Sequence, residues 1–144
     1  MEKFRRIRVL FSDHLGLARG KYQPINSALG EAKFCMSLYG LTYDKQLLPV
    51  PGSGLLDGLP DVVAKFKEED VRPSWEADTG VVIPDIEFKG EPLAHCGRNV
   101  LKKTIAQFEG MSLTPYVGIE LEAYVFQKDR YGKWVPYDTP GAYV

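Results

Sequence analysis

A chain of 144 residues with 44% hydrophobic and 26% charged residues has the composition of one globular domain with a core, which excludes a disordered chain. A formal charge of −1 excludes the basic footprint of a nucleic-acid binder and a polybasic membrane patch, so neither partner is expected. Cys35 and Cys96 have no metal-type spacing and read as reduced, core-like thiols. Near the start, Val9-Leu10-Phe11 give way at once to Ser12-Asp13, so neither a secretory signal nor a membrane span is predicted. A cytoplasmic protein is the simplest reading.

In chain order, residues 4–11 (FRRIRVLF) alternate charge with Ile7, Val9 and Phe11, the pattern of a strand with one buried side. The basic cluster Lys3, Arg5, Arg6 and Arg8 then falls on the exposed side of that strand. Asp13-His14-Leu15-Gly16 supplies a turn, residues 17–22 return as the hairpin partner, and Pro24 closes the strand. Asn26 or Ser27 can cap a helix in which Leu29, Ala32, Met36 and Tyr39 recur at helical spacing until Gly40. Residues 49–60 (PVPGSGLLDGLP) form a loop. A short helix is expected over 61–67, with Val62, Val63 and Phe66 as its apolar side. Residues 79–83 read as a strand ended by Pro84-Asp85, and 93–96 as a further short strand. A helix with a Leu101, Ile105, Phe108 stripe spans 98–109 and stops at Gly110. Beyond Phe126 a hairpin is expected with its turn near 129–132, followed by a tail.

Residues 116–126 (YVGIELEAYVF) are the most informative stretch. Val117, Ile119, Leu121, Ala123 and Val125 are aliphatic, while Tyr116, Glu120, Glu122, Tyr124 and Phe126 occupy the other side of a predicted strand. At about 3.3 Å per residue, Glu120 and Glu122 would lie roughly 7 Å apart on that side. Two such carboxylates, partly desolvated among aromatics, would repel unless a cation sat beside them, and divalent metals suit them. The pattern alone fits better the solvated side of a half-exposed antiparallel strand, which alternates apolar and polar residues by default.

No phosphate-binding loop, GxGxxG or GxSxG elbow is present. His14 falls in a predicted turn and reads as solvated or locally bonded. His95, beside Cys96, reads as structural, because two isolated ligands make no zinc site.

Taken together, several segments resemble the glutamine synthetase family. Asp13-x-x-Gly16 with Arg19-Gly20-Lys21 and Pro24 is similar to its D-x-x-G-x-x-R-G-K-x-x-P hairpin, and Pro84-Asp85 to its P-D segment. Arg98-Asn99-Val100-Leu101-Lys102 resembles its P-R-x-x-L-x helix start, with Gly97 in place of the proline. Gly118-Ile119-Glu120-Leu121-Glu122-Ala123-Tyr124-Val125-Phe126 is similar to its G-x-E-x-E-F-x-x-F. The order and spacing match across essentially the whole chain.

The resemblance implies an α+β fold: a β-grasp N-terminal domain over 1–95, and over 96–144 the first helix and strand of a catalytic domain. It implies an ATP-dependent ligase that joins ammonia or an amine to the γ-carboxylate of glutamate through a γ-glutamyl phosphate, with Mg²⁺ or Mn²⁺ and ATP required. Glu120 and Glu122 match the family's first two metal-binding glutamates. Asp57, in Asp57-Gly58-Leu59-Pro60, is a partial match to the family's Asp-Gly-Ser-Ser latch and the one candidate catalytic residue; the serines are missing. The Ser-Asp pattern expected near Asp78 is also blurred. These departures fit γ-glutamyl-amine or polyamine ligases. Family members are several times longer and form homo-oligomers, so the remaining metal, ATP and glutamate residues are expected beyond Val144, and this chain alone is expected to be inactive. The rival expectation is a non-catalytic β-grasp interaction module with Glu120 and Glu122 merely solvated.

Overall fold

Strand β1 (Arg6–Ser12) is the centre of the first sheet, and its alternation is read directly by the fold: Ile7, Val9 and Phe11 are buried while Arg6 and Ser12 are exposed. The computed structural model describes residues 3–27 and 30–137. β1 pairs antiparallel with β2 (Ala18–Pro24) and parallel with β6 (Thr79–Val82), which pairs with the two-residue β5 (Arg72–Pro73). This gives the order β2-β1-β6-β5. A second sheet, β3-β4-β7-β8, is antiparallel and joins Glu31–Cys35, Asp61–Lys65, Asp85–Phe88 and Glu91–Pro92.

Inner residues of both sheets meet in one core, with Ile7, Val9 and Val82 from the first and Ala32, Phe34, Val62, Ala64 and Ile86 from the second. Phe11 meets Phe34 edge-on with ring centroids 4.9 Å apart, an arrangement that aromatic quadrupoles favour. The sheets are also stapled along their edges. Lys21 donates from Nζ to the Lys33 carbonyl, and Gln23 Nε2 to the Glu31 carbonyl at 3.0 Å. The single α-helix among the described residues, α1, spans Gly97–Gly110. With two four-stranded sheets and this helix, the fold is α+β.

The hairpin motif is a turn lock. Asp13 Oδ1 accepts the N–H groups of Leu15 (2.9 Å) and Leu17 (3.0 Å), and Oδ2 accepts Arg19 Nε at 2.7 Å. Gly16, at φ +77°, supplies the left-handed position between them. Gly20 lies opposite Leu10, and a Cβ there would collide with the carbonyl oxygen of Val9. Gly20→Ala is therefore expected to cost about 1–3 kcal/mol, the usual penalty of overpacking, measured as a lower urea midpoint at unchanged slope. The basic residues of β1 lie outward as expected: Arg6 stacks over Tyr22 at 4.3 Å, Arg8 over Trp75 at 4.9 Å, and both pair with Glu76.

Within residues 1–114 three expected elements are different. The helix predicted around 29–40 is instead strand β3 followed by a 3₁₀ helix, Met36–Gly40; Leu29 falls outside the described residues. Ala32, Met36 and Tyr39 are buried as the stripe required, yet Ala32 and Phe34 alternate with exposed Glu31 and Lys33. Two periods shared one sequence, and pairing with β4 selected the strand. Likewise the helix expected over 61–67 is β4, with Val62 and Ala64 inward. The strand expected at 93–96 is a turn, closed by Leu93 N–H to the Ile86 carbonyl (2.9 Å) and Cys96 N–H to the Leu93 carbonyl (3.1 Å). Both cysteines are free thiols, Cys96 buried and Cys35 partly so.

The chain divides into two compact units, 1–114 and 115–144. In the second, β9 (Phe126–Lys128) and β10 (Trp134–Pro136) form the expected hairpin. Asp129 Oδ1 accepts the N–H groups of Tyr131 (2.8 Å) and Lys133 (2.9 Å), and Gly132 takes φ +79°. The tail over 138–144 lies outside the described residues.

Candidate functional site

Glu120 and Glu122 lie on a segment, 113–125, that has no regular secondary structure, which corrects the strand predicted over 116–126. The ladder begins only at its last residue, Phe126, opposite Pro136, with Tyr137 N–H adding one bond to the Val125 carbonyl at 2.8 Å. Alternation specifies which side chains share a side; a strand also needs a neighbour to take its N–H and C=O groups. None is provided for 116–124 among the described residues. Accordingly the aliphatic side is uncovered, with Val117 at 84%, Ile119 at 86% and Leu121 at 94% exposure. Both glutamates are exposed as well, so the desolvation expected to force a cation between them is absent.

Their chemistry still suits a hard cation. Carboxylate oxygens are the donors that Mg²⁺ and Mn²⁺ take, and exposure leaves all four oxygens open to ligation. The pair is not a full ligand set: no group of three or more His, Cys, Asp or Glu placed to hold a metal occurs among the described residues.

Asp57 belongs to the first unit and is already engaged. It ends a short 3₁₀ helix, Leu55–Asp57, where its Oδ2 accepts the Gly54 N–H at 3.1 Å and Gly58, at φ +78°, closes the turn. The carboxylate shapes the loop that carries it.

Two pairs of motif residues are brought together, one within a hairpin and one between a strand and the helix start. Asp13 and Arg19 form the turn lock, with Asp13's side chain fully buried and Arg19's 24% exposed. Burial opposes ionisation of Asp13, but the Arg19 guanidinium and the N–H groups of Leu17 and Leu15 outweigh it and hold the carboxyl below its ordinary pKa. The P-D segment meets the helix start: Asp85 accepts Arg98 Nε at 2.9 Å and Lys102 Nζ at 2.6 Å. Burial again works against ionisation, and Lys102 and Arg98 prevail, so the Asp85 carboxyl is lowered.

Between these cations, Asn99 Nδ2 donates to the carbonyls of Ile86 (2.7 Å) and Leu93 (3.0 Å). Sequence reasoning missed this residue. The available signal was an asparagine, a poor helix former, near a helix start with no cap of its own to make. His95 packs edge-on against Tyr39 at 4.8 Å, and burial, with His14 nearby, lowers its pKa.

The chain is similar to known proteins over most of its length. The type-1 glutamine synthetase 2 of Dictyostelium discoideum is 31% identical over 134 residues, taking in 86% of this chain and 25% of that protein. The chain thus spans about a quarter of the length of the curated relative it matches. Two solved structures share its fold. Apo GmaS without ligand matches at a TM-score of 0.58 and 24% identity, and a GmaS/ADP complex at 0.57 and 23%. Each match covers 76% of this chain, with 25% and 24% of those chains respectively. No family model matches the chain. Among the described residues no helix is long and apolar enough to cross a membrane.

Proposed function

We propose that this chain, related to the glutamine synthetase family over the region those comparisons match, is the N-terminal part of an ATP-dependent ligase. The ligase joins ammonia or an amine to the γ-carboxylate of glutamate through a γ-glutamyl phosphate. The β-grasp domain accounts for 1–95, and 96–144 opens the catalytic domain. The observation that carries the reading is the motif Gly118–Phe126, standing in order after two others whose residues pair with one another, Asp13 with Arg19 and Asp85 with Arg98.

In this reading Glu120 and Glu122 hold Mg²⁺ or Mn²⁺, which when bound supplies charge neutralisation for phosphoryl transfer. The chain's own contribution is two hard oxygen donors on an extended segment. The uncovered aliphatic side of that segment is then seated by further strands of the longer protein. Leucine and proline in place of the latch serines also fit the runner-up reading, a γ-glutamyl-amine ligase whose acceptor is larger than ammonia. Such a ligase works as a cytoplasmic homo-oligomer.

The test is glutamate- and amine-dependent ADP release by the full gene product. Glu120→Gln and Glu122→Gln are each expected to reduce it at least 100-fold and to weaken Mn²⁺ binding. Unchanged Mn²⁺ affinity and turnover in both variants would remove the two glutamates from the site. A gene product that releases no ADP with glutamate and any amine would instead support the non-catalytic module.

A further inference from the structure

In an antiparallel pair, residues directly opposite one another project to the same side of the sheet. Lys21 and Gln23 stand opposite Val9 and Ile7, so both lie on the inner side, where β1 places buried aliphatics. Alternation would ordinarily continue that apolar side onto β2; the sequence sets a lysine and an amide there instead. Their donors go to the second sheet. Lys21 Nζ donates to the Lys33 carbonyl and lies 4.7 Å from the centre of the Phe34 ring, and Gln23 Nε2 donates to the Glu31 carbonyl at 3.0 Å. Gln23 Oε1 is buried and finds no partner among the described residues, so the amide sits there for its donor alone and at a desolvation cost.

The carbonyls they reach are those that β3 turns away from β4. Phe66 N–H bonds the Gly30 carbonyl and Met36 N–H the Pro60 carbonyl, so even-numbered positions along β3 face β4. Glu31, Lys33 and Cys35 therefore direct their N–H and C=O groups outward. Among the described residues β2 and β3 are each the outermost strand of a sheet.

We infer that Lys21 and Gln23 form an edge guard: by occupying the outward carbonyls of β3 they close the seam between the sheets and deny that edge to a second copy of this chain. An open strand edge is a template for pairing, and inward-pointing polar residues are one means of blunting it. The β3 edge suits a second copy. Antiparallel pairing of two β3 strands about Ala32 sets Glu31 of one opposite Lys33 of the other, matching both the outward hydrogen-bonding groups and the charges. All four residues of the guard lie within the first unit, so it is independent of cover supplied by the rest of a longer protein.

Self-association of the full chain tests this. Lys21→Met combined with Gln23→Met removes both donors and keeps side chains of similar length. By light scattering, the double variant is expected to associate about tenfold faster or more than the wild type, with an intermolecular-sheet band in the infrared. Gln23→Met alone, which leaves Lys21 in place, should lie between. Ile86→Val loosens the core and spares the guard, so it controls for destabilisation and is expected to associate as the wild type does. In the associated double variant, amides of 31–35 should gain protection from hydrogen exchange. Association no faster than that of Ile86→Val would overturn the inference, as would protection gained only outside β3.

Discussion

Asp13→Ala is expected to destabilise the first unit by about 3–5 kcal/mol, the cost of stranding one partner of a buried ion pair. Arg19 is 24% exposed and can recover some water, which places the loss toward the lower end. The same substitution leaves the N–H groups of Leu15 and Leu17 without their acceptor, so the β1–β2 turn loosens along with the charge. Against a typical total stability of about 5–15 kcal/mol, this brings the fold close to its limit. Urea unfolding measures it, and Asp13→Asn, which keeps an acceptor oxygen, is expected to fall between the two. An Asp13→Ala protein as stable as the wild type would refute the turn lock.

The lowered pKa of Asp13 fixes a pH dependence for the same contact. Folded Asp13 binds its proton less readily than unfolded Asp13, so the unfolded state takes up protons first on acidification. The stabilisation is therefore complete above the unfolded value, near pH 4, and is lost as pH falls through the lower folded value. Asp85 adds a smaller effect of the same sign, reduced by solvent because its side chain is 44% exposed. Unfolding midpoints between pH 5 and pH 2 are expected to fall less steeply in Asp13→Asn than in the wild type.

Ile86→Ala is the second large effect, about 2–5 kcal/mol. Ile86 is wholly buried in β7, opposite Ala64, at the centre of the second sheet. Its small neighbour leaves little to relax into the space, so the cavity persists and the loss falls toward the upper part of that range. Ile86→Val removes one methylene and should cost only about 0.5–1.5 kcal/mol. Ile83→Ala, at a half-exposed position, is the control and should cost about 0.5 kcal/mol or less. Equal losses at 83 and 86 would contradict the burial of Ile86 in the core.

Legibility in the sequence followed the range of the interaction concerned. At both hairpins an aspartate accepts nearby backbone N–H groups and a glycine takes positive φ, all within a few residues, so Asp13–Gly16 and Asp129–Gly132 announced their turns. Helix α1 was visible from its stripe and its glycine stop. Nothing local separated strand from helix at 31–35 or 61–65, where Ala32, Met36 and Tyr39 satisfy a helical period and Ala32 and Phe34 a period of two. Mutual pairing of β3 with β4 resolved both segments at once.

The candidate site divides in the same way. By itself the sequence determined which chemistry is available: two carboxylates at alternate positions, and core residues in the order the hairpin requires. Residue type and short spacing are written in the chain, and hydrophobic alternation depends on nothing else. Only the tertiary structure decided that Asp13 reaches Arg19, that Asp85 and Asn99 seat α1, that Asp57 is taken up by Gly54, and that 116–124 has no ladder among the described residues. Each of those is a pairing that is made or missing, and a hydrogen bond, an ion pair or a strand pairing is a property of two groups while a sequence pattern describes one.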